Sequence, residues 1–107
     1  MIEIVDRSDF YIHKFIDRLT KEEAYCADEW LRHCTRYGYT CQKVKGYVDE
    51  YSHRAEHEDR YYYHLAYDVH VDGSNDADFY NKTMEARKMM DDLAKEIVVH
   101  LNEMRES

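Results

Sequence analysis

An α+β domain, with helices packed on one face of a small, mainly antiparallel sheet, is the fold class this sequence predicts. Three patterns point to it. Residues 60–72 alternate with period two, Thr20 and Glu23 have capping-box spacing before an amphipathic stretch, and an apolar seam recurs at steps of four and three from Phe79 to Met104.

Taken in chain order, Ile2, Ile4 and Val5 suggest a short first strand. Ser8 then offers an N-cap, and Phe10, Ile12, Phe15, Ile16 and Leu19 follow at roughly helical spacing, which predicts a first helix. Thr20 and Glu23 open a second helix, with Ala24, Ala27, Leu31 and Cys34 on its apolar face, Trp30 beside them and Gly38 at its end. Residues 39–51 read as a strand, with Val44 and Val48 on one face and Tyr39, Cys41, Tyr47 and Tyr51 on the other. The 60–72 strand follows a polar connection, and Tyr61, Tyr63 and Tyr67 belong to its core face. Gly73 to Asp76 forms a turn and cap, and a long helix runs from about Ala77 to about Met104. The predicted order is therefore β-α-α-β-β-α: three helices against two to three strands, in a single domain spanning 1–107.

A helix of about 28 residues is about 42 Å long, whereas a compact domain of this size is roughly 30–35 Å across. The helix is expected to overhang, exposing the end of its seam. A homodimer interface on Met90, Leu93, Ile97, Leu101 and Met104 would cover it.

Charge narrows the function classes. Fifteen Lys+Arg against 23 Asp+Glu leave a net charge of −8, so direct nucleic-acid binding is not expected. The three cysteines, Cys26, Cys34 and Cys41, fit a reducing cytoplasm better than a disulfide framework. MIEIVDRSDF lacks the basic and apolar regions of a signal peptide, and no apolar run approaches membrane-spanning length.

Catalytic and metal motifs are weak. His53, Glu56 and His57 match H-x-x-E-H, a zinc-hydrolase pattern, but on a segment that joins two strands. Cys26, His33, Cys34 and Cys41 lack any C-x-x-C pair. Asp72, Ser74, Asp76 and Asp78 begin like a calcium loop, but Ala77 stands where its glycine belongs and Thr83 where its glutamate belongs. His64, Asp68, His70 and Asp72 share one strand face, which reads as a solvated sheet surface. No phosphate-cradling glycine loop or nucleophile elbow occurs. The expectation is a protein without catalytic residues, cofactor or metal.

Two surface sets remain. Asp49, Glu50, Glu56, Glu58, Asp59, Asp68, Asp72, Asp76 and Asp78, with Tyr47, Tyr51 and Tyr62, predict an acidic, aromatic docking surface for a basic site on another protein. Arg32, Arg36, Lys43 and Lys45, interleaved with Trp30 and Tyr39, form an acid-free stretch suited to a nucleotide or other anion. In size and charge the chain is similar to bacteriocin immunity proteins, antitoxins and phage-encoded inhibitors of host defence. That resemblance implies a non-enzymatic inhibitor, of anti-CRISPR or DNA-mimic type, that blocks a basic or nucleic-acid-binding host protein in the host cytoplasm.

Overall fold

The computed structural model describes residues 2–6, 12–34, 44–50, 61–67 and 76–106. They form β1 (Glu3–Asp6), β2 (Ile12–Leu19), α1 (Lys21–Arg32), β3 (Lys45–Glu50), β4 (Tyr61–Tyr67) and α2 (Asp76–Glu106). The fold is α+β, as the sequence predicts, with a long C-terminal helix. The element count differs. Among the described residues there are two helices, not three, and four strands, not two or three.

The difference lies at 12–19. This segment is strand β2, antiparallel to β1 on one side and to β4 on the other, rather than the predicted helix. Ile12 and Ile16 are β-branched and Phe15 is aromatic, and such residues fit a pleated, half-buried surface. Two features hide the period-two pattern. Lys14 occupies an inward position, where it is buried and pairs with Asp6 at 3.2 Å and Asp91 at 3.7 Å. A bulge then shifts the register between Ile16 and Leu19, with Arg18 at φ 64°, so that both apolar side chains point inward although three residues apart. Asp17 Oδ1 accepts the Arg18 backbone N–H at 2.7 Å within this kink.

The sheet order is β1-β2-β4-β3, antiparallel throughout. β1–β2 and β3–β4 are two antiparallel pairs, joined where β2 meets β4. Register places Ile4, Ile16, Tyr63 and Val48 in one row across the sheet, and Val5, Phe15, His64 and Tyr47 in the next row, on the opposite face. Both helices pack on the Ile16–Tyr63 face. Tyr63 and Leu65 from β4, Ile16 and Leu19 from β2, and Met90, Leu93, Ile97 and Leu101 from α2 are all essentially solvent-free.

Helix α1 starts as predicted. Thr20 Oγ1 accepts the Glu23 N–H at 3.2 Å, and Glu23 Oε1 accepts the Thr20 N–H at 2.9 Å. Ala24, Ala27, Leu31 and Cys34 are buried, as the sequence implies. The helix ends at Arg32 with His33 as C-cap, and Gly38 lies outside the described residues. Strand β3 is described over Lys45–Glu50, and residues 39–43 of the predicted strand lie outside the described residues. Likewise β4 is described as far as Tyr67, with 68–72 beyond it.

Gly46 lies where α1 crosses the sheet. A Cβ there would fall 1.9 Å from the Tyr63 hydroxyl and 2.8 Å from Leu31 Cδ2, so only glycine lets strand and helix approach this closely.

The α2 overhang is real but occurs at the other end from the one expected. Its 31 residues span about 46 Å. The C-terminal half is docked, and the Arg105 guanidinium holds Glu23 through both Nε and Nη2, the latter at 2.8 Å from Oε1. The same Nη2 donates to the Arg18 carbonyl at 3.2 Å, tying the helix end to the β2 bulge. Exposed apolar side chains cluster in the first turns, at Phe79, Tyr80 and Met84, with Val99 and Met104 exposed further along. Of the expected dimer seam, Met90, Leu93, Ile97 and Leu101 are fully buried by the chain's own sheet and helix, and Met104 alone is exposed.

Candidate functional site: an aromatic and histidine face of the sheet

Strand alternation that sends Ile16, Tyr63 and Leu65 into the core sends Phe15, Tyr62 and His64 to the opposite face. Tyr47 joins them from β3, because it pairs with His64 in the register. His13 joins from β2, next along the same face as Phe15.

His64 is the hub. Its ring stacks on Tyr47 with centroids 4.1 Å apart and planes 9° from parallel. Phe15 meets it edge-on at 4.4 Å, and Tyr62 lies at 4.9 Å. Phe15 also contacts His13 at 4.4 Å and Tyr62 edge-on at 6.0 Å. His13 Nε2 is within 3.1 Å of His64 Nδ1, a hydrogen bond in which one imidazole donates and the other accepts. Each such ring pair is worth about 0.5–1.5 kcal/mol beyond its buried area, so the cluster is a preordered surface. His64 is buried among these rings, while Tyr47 remains 48% exposed and presents its outer side to solvent.

The edges of this face carry charge. On the β1 side Glu3 pairs with Asp17, and Arg18 bridges back to Glu3 at 3.3 Å. On the β3 side Asp49 pairs with Tyr62 and Lys45 with Ala66.

Of the predicted docking set, Tyr47 and Tyr62 stand together on this face, and Asp78 is exposed on α2. Asp49, Glu50 and Asp76 are placed at the ends of β3 and at the start of α2. Tyr51, Glu56, Glu58, Asp59, Asp68 and Asp72 lie outside the described residues. Many of the remaining acids are locally neutralised. Asp28 pairs with Arg32 at 3.0 Å, Asp92 with Lys88 at 3.5 Å and Asp91 with Lys95 at 2.7 Å. The Lys95 ammonium beside Asp91 holds that carboxyl below its usual range.

The predicted anion set is split. Trp30 lies on the α1 side of the sheet, where it lines an open groove of about 350 Å³ with Lys95, Glu96, Val99, His100 and Glu103 of α2. Lys45 lies on the far face with Tyr47, and Arg32 is turned onto Asp28. Arg36, Tyr39 and Lys43 lie outside the described residues, as do His53, His57, His70 and Cys41. Cys26 lies on α1, and Cys34, just past its end, is buried.

Sequence reading missed His13, Phe15 and His64 as parts of one site, because assigning 12–19 to a helix removed β2 from the sheet. The aromatic and β-branched run through 10–16 was the signal that pointed to a strand.

Among the described residues, no helix is long and apolar enough to cross a membrane. Comparison with known proteins returned nothing: no family model, no curated protein and no solved structure matches this chain.

Proposed function

We propose that this chain is a non-enzymatic binding protein whose partner docks on the sheet face centred on Tyr47 and His64. The observation that carries the reading is the ordered cluster of His13, Phe15, Tyr47, Tyr62 and His64 on the face turned away from both helices. Rigid aromatic side chains at the centre of a surface, with charge at its margins, are the composition of an interface hot spot. The net charge of −8, and the acids carried by the segments flanking β4, favour a basic partner surface. The protein acts as an inhibitor of phage or mobile-element type that occupies a basic site, such as one that otherwise holds nucleic acid. The second reading, an anion site built from Trp30, Arg32 and Lys45, has less support because those residues point to different sides of the sheet.

Salt tests the electrostatic half of this proposal. The purified partner should dissociate progressively as ionic strength rises, because screening weakens attraction between the opposed charges. Equal affinity at low and high salt, read by calorimetry, refutes a basic docking site.

A further inference from the structure

We propose that His13 and His64 form a two-nitrogen site for a divalent transition-metal ion of the copper, nickel and zinc group. The proposal rests on geometry. His13 Nε2 and His64 Nδ1 converge to 3.1 Å although 51 residues separate them in sequence. A metal held by two imidazole nitrogens at about 2.0–2.1 Å, with a tetrahedral angle between them, separates those nitrogens by about 3.3–3.4 Å. Square-planar copper(II) sets them about 2.8–3.0 Å apart, so the observed 3.1 Å lies between the two geometries. Chelation also requires both rings to tilt until their lone pairs meet off the line joining the nitrogens.

The strands enforce this convergence. His13 pairs with Ala66 and His64 with Phe15, so the two imidazoles are diagonal neighbours on one face of adjacent antiparallel strands. Phe15 packs against both rings and Tyr47 stacks on His64, which limits rotation of the ligands. Such restraint lowers the ordering cost of binding. Neutral imidazole suits these metals, and copper(II) should bind most tightly. Metal takes the place of the hydrogen between the rings. His13 then carries its proton on Nδ1 and His64 carries its own on Nε2, so two neutral rings lose no net proton on binding.

Among the described residues no group of three or more His, Cys, Asp or Glu side chains is arranged to hold a metal. The described residues accordingly supply two ligands, with water able to complete the shell. Spacing rules applied to the sequence do not find such a pair, because they look for ligands close together along the chain.

The test is titration of the full-length, chelator-treated protein with copper(II) chloride, followed by calorimetry and by electron paramagnetic resonance. One equivalent should bind with two imidazole nitrogens in the spectrum. Affinity should fall as pH is lowered, because protons compete with the metal for the imidazole nitrogens. His13→Gln should lower the affinity by more than the roughly tenfold that loss of an outer-shell partner costs. His100→Gln, on α2, should leave it unchanged. Circular dichroism checks that His13→Gln and His64→Gln remain folded. Absence of saturable copper binding to the wild-type protein, or wild-type affinity in folded His13→Gln or His64→Gln, overturns the site. Either result leaves the docking proposal intact, since partner affinity is measured in the presence of chelator.

Discussion

Glu23 does two jobs with one carboxylate. It closes the α1 capping box and takes a two-pronged bond from Arg105, while its own side chain is almost wholly covered. The Arg105 bond, against the opposing effect of burial, holds the Glu23 carboxyl below its usual range. A depressed folded-state value means that this contribution is complete above the unfolded value near 4.5 and disappears as pH falls through the lower folded value. Glu23→Gln should cost about 1–3 kcal/mol at neutral pH, with Arg105 partly exposed and the pair discounted accordingly. Its deficit against wild type should shrink in acid, which urea unfolding at neutral pH and near pH 3 would reveal. Gly46 is a second single-residue determinant. Tyr63 donates to Asp28 at 2.8 Å directly beneath it, and burial, followed by that bond, pushes the phenol far above its ordinary value. Gly46→Ala must displace this buried hydroxyl or Leu31, and should lose about 1–3 kcal/mol in thermal or urea unfolding.

The elements differ in how much of their length is held. The docked half of α2 buries Met90, Leu93, Ile97 and Leu101, whereas Phe79, Tyr80 and Met84 in its first turns are exposed. Leu93→Ala should therefore cost about 2–5 kcal/mol, and Tyr80→Ser less than about 0.5 kcal/mol in the same urea titration. Helix α1 was legible because its cap is local: Thr20 and Glu23 sit three residues apart, and the two bonds they make to each other involve no other element. Likewise β4 was legible because Tyr61, Tyr63, Leu65 and Tyr67 alternate without interruption. Strand β2 was not, for a tertiary reason. Lys14 is an inward residue whose charge is met by Asp6 from β1 and Asp91 from α2, two elements distant in sequence or folded independently of its own spacing. The bulge at Arg18 then restores Leu19 to the core at a helical interval from Ile16. The α2 seam was read correctly as apolar, but which end would overhang depended on where the sheet sits beneath it.

At the scale of the whole molecule, the four strands divide the chemistry. One face joins two helices to the core, and the other gathers His13, Phe15, Tyr47, Tyr62 and His64. Tyr47 and Tyr62 could be read from the sequence as binding residues, since both alternate away from core positions. Their assembly around His64 could not, because it depends on β2 and β3 flanking β4, a strand order that no local pattern encodes. The acidic premise fares unevenly. Among the described residues, seven ion pairs between Glu3, Asp6, Glu23, Asp28, Asp91 and Asp92 and their basic neighbours keep much of the surface mixed in sign. Aromatic contact at the sheet face thus carries more of the proposal than bulk charge. The most direct measurement is the affinity of the purified partner for Tyr47→Ala, set beside Tyr25→Ala on the exposed side of α1. A hot-spot role predicts that Tyr47→Ala costs about 2 kcal/mol or more, roughly a thirtyfold loss, while Tyr25→Ala binds like wild type. Wild-type affinity in a folded Tyr47→Ala protein would contradict docking at this face.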